Sequence, residues 1–193
     1  MFRNLANKLG FFFYTCRPSH LWSAVCFKWH CLERGQLWFL LGILLAFSVL
    51  AVIISQSIMG QQVSRDINCL ALNVYNEARG EPRKGKIAVA IVTMNRVASA
   101  KYPDSVCKVV YQKRWDYLRN RYVSAFSWTE LDNSPSLNSN AWKEANEIAQ
   151  QVYFDKDRGR LGEALFYHAD SIRPSWARTR TRVAKIGRHI FYN

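Results

Sequence analysis

Acidic side chains are scarce in this chain. Asp and Glu number 14 against 27 Lys and Arg, which leaves a formal net charge of +13. A domain this basic is drawn to polyanions: nucleic acid, anionic lipid or anionic cell-wall polymer. Histidine is rarer still, with four in 193 residues. His168 and His189 are too sparse for a metal cluster, and no metal site is expected. Neither Gly-x-Ser-x-Gly nor His-Glu-x-x-His occurs, so a serine hydrolase or a zinc amidase has no motif behind it. The five cysteines are split by a long apolar run, with Cys16, Cys26 and Cys31 before it and Cys69 and Cys107 after it. Cys26, His30 and Cys31 are too few and too closely spaced for zinc. No internal repeat and no low-complexity tract is present, and no cofactor is implied.

Charge is also missing from one long window. None occurs between Arg34 and Arg65, and Leu37 to Ile54 is apolar apart from Gly42 and Ser48. Eighteen residues at helical rise cover about 27 Å, enough to cross a bilayer. No Ala-x-Ala site follows and the run lies far from the start, which disfavours a cleaved signal peptide. The reading is a transmembrane helix over 37–59, with a basic, aromatic tail at 1–36 on the cytoplasmic side. The rest would lie outside, as a single-pass inner-membrane protein with a periplasmic domain. Gly42, Ala46, Ser48, Ala51, Ser55, Gln56 and Ser57 weaken the span toward its outer end. That composition resembles the signal-anchor-release segments of some phage endolysins, although Leu, Ile, Phe and Val still dominate and a stable anchor is expected. If the second part is exported, Cys69 and Cys107 either form a disulfide or stay as two buried thiols.

Residues 60–66 read as a polar linker, and 67–193 as the working domain. Ile67, Leu70, Ala71, Val74 and Ala78 make one apolar helical face over 67–79, with Asp66 as N-cap and Gly80 as the stop. Glu77 falls about 70° from the centre of that face, on its shoulder. Partial burial and the negative end of the helix dipole both disfavour its charged form, which suits a general acid. The plainer alternative is a shoulder Glu that reaches solvent or pairs with Lys84 or Lys86.

Lys84–Ala100 is apolar on all sides and long enough for a core helix. Asp104 is expected to cap a short helix through Val106, Val109 and Val110. Gln112–Ser136 shows no sustained period and reads as a long loop. Asn138–Tyr153 is a clear amphipathic helix. Ala164–His168 reads as a strand, and Arg182–Ile186 with Arg188–Tyr192 as a hairpin around Gly187.

Tyr75-Asn76-Glu77-Ala78-Arg79-Gly80-Glu81 resembles the Y-x-E-A-R-G-E signature of the SleB-type cell wall hydrolases, the family of the spore cortex-lytic enzymes. Similar words follow in the family's order: Asn95-Arg96-Val97, Tyr102-Pro103, Phe126-Ser127-Trp128, Ala164-Leu165-Phe166-Tyr167-His168, Pro174-Ser175-Trp176 and His189-Ile190-Phe191-Tyr192. The resemblance implies a small α+β domain of lysozyme or lytic transglycosylase architecture that acts on peptidoglycan. It makes Glu77 the catalytic acid/base. Family members occur in phage lysis, and a membrane-anchored endolysin is the expectation, with no nucleic-acid partner. Sugar sites use aromatic faces and polar edges, so Tyr75, Phe126, Ser127, Trp128, Tyr167, His168, Ser175 and Trp176 are candidate substrate contacts. Trp176 and then Trp128 are the expected exposed platforms. Glu81 is the candidate second carboxylate. An amidase on the same fold and a non-catalytic basic membrane protein are the alternatives.

Overall fold

The computed structural model describes residues 34–117, 119–131, 135–136, 139–155 and 159–193. The expectations for residues 1–33 lie outside these. The chain divides into two units, Met1–Ser57 and Ile58–Asn193.

Helix α1 runs unbroken over Arg34–Ala78. Its first half exposes large apolar side chains such as Trp38, Leu44, Phe47 and Ile53, and the helix is long and apolar enough to cross a membrane. The expected break at 60–66 does not occur. Gln61–Arg65 contains neither Pro nor an internal cap, so nothing there interrupts the hydrogen-bond ladder. Asp66 is therefore not an N-cap. Its carboxylate accepts instead from the Cys107 backbone N–H and from Gln62 Nε2, at 3.1 Å each. The helix ends at Ala78, with Gly80 in the turn beyond it.

Helix α2 spans Arg83–Ala98, α3 spans Val106–Val110 and α4 spans Asn140–Phe154. The missing period of α2 has a physical cause: it is shared by two apolar clusters. Ala90 and Met94 join Leu70, Ala71, Val74, Trp142 and Ile148, while Ala88 and Val92 join Leu161, Ala164 and Phe191. A helix covered on two sides needs no polar stripe there. In α4 only one face is covered, and Trp142, Ala145, Ile148, Ala149 and Val152 bury at helical spacing. Ser139 caps it by accepting from the Trp142 N–H at 3.2 Å. The cap of α3 is Ser105 by position, without a side-chain bond. Asp104 pairs with Lys108 at 2.8 Å in place of the expected capping.

The segment read as a long loop holds an antiparallel hairpin, β1 (Lys113–Asp116) with β2 (Arg121–Ser124). Its strands are four residues each and largely exposed, so neither develops the apolar alternation that marks a strand. A second sheet of order β3-β5-β4 joins Phe166–Ala169, His189–Tyr192 and Arg182–Ile186. β5 pairs antiparallel with both neighbours. The β4–β5 turn is the expected one, with Gly187 at φ +59°, a conformation that glycine adopts without steric cost. Cys69 of α1 and Cys107 of α3 are bonded as a disulfide, with Cα atoms 5.2 Å apart.

Candidate active site

Glu77 is the next-to-last residue of α1 and is partly buried. Removal from water raises its carboxyl above the ordinary range. Two opposing influences are weaker: a hydrogen bond from Tyr167 and the charge of Arg96. The Tyr167 hydroxyl donates to Glu77 Oε2 at 3.2 Å. Burial holds that phenol well above its usual value, with the Glu77 charge adding to the effect. Tyr167 therefore stays protonated and can keep donating.

Arg96 is fixed from behind. Its Nε donates to the Leu165 carbonyl at 2.9 Å, and its guanidinium lies 5.3 Å from the Phe126 ring and 5.5 Å from that of Tyr102. Asn95 holds the same connection, donating to the carbonyls of Leu161 and Ala164. The Asn95-Arg96 pair thus anchors the approach to β3 through bonds to backbone carbonyls. Arg96 also supplies a cation beside Glu77, a contribution that no sequence spacing announces.

Several residues expected to face substrate are core instead. Trp128 is 9% exposed, and its indole N–H donates to Asn73 Oδ1 at 3.0 Å. Asn73 in turn donates to Thr93 Oγ1 at 3.0 Å. Trp128 is therefore no exposed platform: its one polar atom is committed to a buried amide that joins α1 to α2. Phe126 is buried against Arg96, and Tyr75 is buried edge-on to Trp142. Ser127 and Ser175 are exposed.

His168 is buried, with Nδ1 2.8 Å from the Ala169 carbonyl and Nε2 3.0 Å from the Tyr192 hydroxyl. A carbonyl can only accept, so Nδ1 donates to it, and Nε2 shares a hydrogen bond with the Tyr192 hydroxyl. Trp176 is half-buried, its ring centroid 5.6 Å from those of both His168 and Tyr192 and 5.7 Å from that of Phe166. It belongs to an aromatic cluster on the sheet rather than standing free.

Glu81 is not a companion acid for Glu77. It is 5% exposed and accepts from the Arg188 backbone N–H at 2.9 Å and from its Nε at 2.8 Å. Burial alone would raise its pKa, but the two Arg188 hydrogen bonds and the charges of His189 and Arg188 outweigh it. The carboxyl is held below the ordinary range. Gly187 makes room for it, because a Cβ at that position would fall on Glu81 Oε2. The fixed anion ties the turn after α1 to the β4–β5 turn.

Among the described residues no group of three or more His, Cys, Asp or Glu could hold a metal ion. The arrangement offers a single protonatable carboxyl, a neutral phenol donor on one oxygen and a nearby guanidinium. Such a set can give a proton and then stabilise the anion left behind.

The sequence pattern of the family described as Cell Wall Hydrolase matches residues 80–192. A spore cortex-lytic enzyme of Oceanobacillus iheyensis is 36% identical over 129 residues, 65% of this chain and 41% of that protein. That of Bacillus subtilis is 31% identical over 131 residues, 66% and 37% respectively. The chain thus spans about two fifths of the length of these curated relatives. Among solved structures, the catalytic domain of Bacillus cereus SleB superposes with a TM-score of 0.52 at 32% identity, covering 67% of this chain and 91% of that one. The catalytic domain of the germination-specific lytic transglycosylase SleB from Bacillus anthracis gives 0.51 at 32% identity, covering 66% and 93%.

Proposed function

The chain belongs to the cell wall hydrolase family, and from that premise we propose that it cleaves peptidoglycan glycan strands as a lytic transglycosylase with Glu77 as acid and base. The observation that carries this reading is the environment of Glu77: partial burial raises the pKa of the carboxyl, while Tyr167 and Arg96 stand ready for its anion. The family pattern begins three residues after it, so the role of Glu77 rests on that chemistry and on the signature word around it. The likeness to a domain described as a lytic transglycosylase supports the reaction type.

In this mechanism Glu77 gives its proton to the bridging oxygen as the C1–O bond breaks. The carboxylate, held by the Tyr167 hydroxyl and the Arg96 charge, then takes the proton of the muramic acid 6-hydroxyl. That oxygen closes on C1 to give a 1,6-anhydro end, with no water consumed. One carboxyl suffices for both halves, which agrees with the commitment of Glu81 to Arg188.

We also propose that the first part of α1 anchors the chain in the inner membrane, with residues 1–36 cytoplasmic and the domain at 67–193 periplasmic. Its length and composition support a span. The Cys69–Cys107 disulfide supports an oxidising location. A wall-cleaving domain on a membrane tether suits lysis of a cell from within, and the phage endolysin reading rests on that pairing.

The test is a digest of purified sacculi read by mass spectrometry. Anhydro-muropeptides are expected, and they should vanish with Glu77→Gln. Release of free stem peptides would make the protein an amidase. Binding without any product would make it a basic wall-binding protein.

A further inference from the structure

A groove of about 730 Å³ lies on the outer face of the three-stranded sheet, and Glu77 is not among the residues that line it. The strand register accounts for the separation. Tyr167 and Phe191 pair on the face that meets Glu77 and the core, whereas His168 and Ile190 pair on the opposite one. Lys185 shares that opposite face, and Tyr192 and Arg182 stand paired there. The facing wall comes from residues 170–178.

Charge in this groove is one-sided. Arg173, Arg178 and Arg182 are exposed and line it. None of the three guanidiniums has an ion-pair or hydrogen-bond partner among the described residues. Asp170, the acid in the lining, is occupied by Lys185 at 2.7 Å. Elsewhere the Arg83, Arg119, Arg121 and Arg188 guanidiniums are matched to carboxylates, and those of Arg79, Arg114 and Arg180 lie over aromatic rings. Between the groove arginines lie apolar surfaces from Ile172, Pro174, Ala177 and Ile190. Guanidinium forks recognise carboxylate and phosphate oxygens in pairs. A polyphosphate or a row of lipid headgroups would use the cations but leave the apolar floor wet. A ligand that alternates carboxylates with small apolar groups would use both.

We propose that this groove binds acidic peptide bearing small apolar side chains, namely the stem peptides of the wall polymer, and so grips the substrate away from the cleaved bond. The inference rests on the peptidoglycan reading above. It gives Arg173, Arg178 and Arg182 a binding role that does not touch the reacting atoms.

The experiment measures binding of free stem peptide, released from sacculi and purified, to the full chain in detergent micelles by calorimetric titration. The triple variant R173A/R178A/R182A should weaken binding about tenfold or more, as loss of charge-assisted bonds implies. The variant R114A/R119A/R121A removes equal charge from the β1–β2 hairpin and should leave binding unchanged. A circular dichroism melt of both variants separates lost binding from lost folding. On sacculi, the groove variant should raise KM with little change in kcat, and on glycan strands stripped of peptide it should match the parent chain. Equal loss in both triple variants would overturn the proposal, as would no loss in either. Arginine-dependent binding to vesicles of anionic phospholipid without binding of stem peptide would also overturn it. Peptide binding through the three arginines in a chain that cuts no glycan would uphold the groove and sink the transglycosylase reading. Glycan cleavage without peptide binding would do the reverse.

Discussion

The Tyr167 hydroxyl donates to Glu77 Oε2 at 3.2 Å, joining residues 90 positions apart. The bond couples the last turn of α1 to strand β3, and it acts on Glu77 against the burial that raises its pKa. The carboxyl proton of Glu77 is thus held by one influence and moderated by another.

Replacing Glu77 by Gln should lower the rate on sacculi by a factor on the order of 10²–10⁴, the usual contribution of a general acid. The fold should persist and gain stability at neutral pH. Because the folded pKa lies above the unfolded one, the stability contributed by Glu77 is full below the unfolded pKa and is lost as pH rises through the folded pKa. Gln escapes that loss, and a gain of about 0.5–2 kcal/mol is expected. Turbidity clearance and a thermal melt at pH 7 check both halves.

Tyr167→Phe removes a hydrogen bond that favours the Glu77 anion, so the Glu77 pKa should move further up. Activity as a general acid falls as pH rises through that pKa. The alkaline limb of the kcat/KM profile should therefore shift to higher pH in the variant, with a lower maximum. A limb that moves to lower pH would contradict the assignment.

Glu81→Gln should destabilise the domain by about 1–3 kcal/mol, the cost of disrupting a buried charged hydrogen-bond pair. The Glu81 pKa is held below its unfolded value by Arg188 and His189 despite burial. Its contribution to stability is therefore full above the unfolded pKa and lost as pH falls through the folded pKa. His189, kept low chiefly by desolvation, adds a similar loss as pH drops below its ordinary value. Denaturant midpoints measured from pH 7 to pH 3 should converge for the parent chain and Glu81→Gln. Gly187→Ala should be worse than Glu81→Gln, because it adds a strained φ to a clash with the carboxylate.

Reduction of the Cys69–Cys107 bond, or the double change to Ser, should cost about 2–4 kcal/mol, since the bond closes a loop across a separation of 38 residues. A melt with and without reductant measures it, and Glu77→Gln should show the same drop.

Much of the domain was legible because its helices carry plain signals. The one-sided stripe of α4 and the apolar length of α2 specify helix without tertiary help. Gly187 between two β-rich runs marks the terminal turn. The β1–β2 hairpin was hidden because its exposed strands bury nothing on one side only. The continuity of α1 through 60–66 was hidden for a different reason: polar residues suggest a linker, yet nothing in them breaks a helix. At the site, the shoulder position of Glu77 could be read from helical phase. The partners could not. Tyr167, Arg96 and Asn73 reach their places through contacts 20 to 90 residues away, and a ring such as Trp128 gives no sign in sequence of whether it faces sugar or a buried amide.

β5 is the middle strand of its sheet but the last of the three in chain order. During synthesis, β3 and β4 must therefore wait unpaired until His189–Tyr192 emerge, and Tyr167 waits with them. The phenol that meets Glu77 is thus set in place by a strand made after its own.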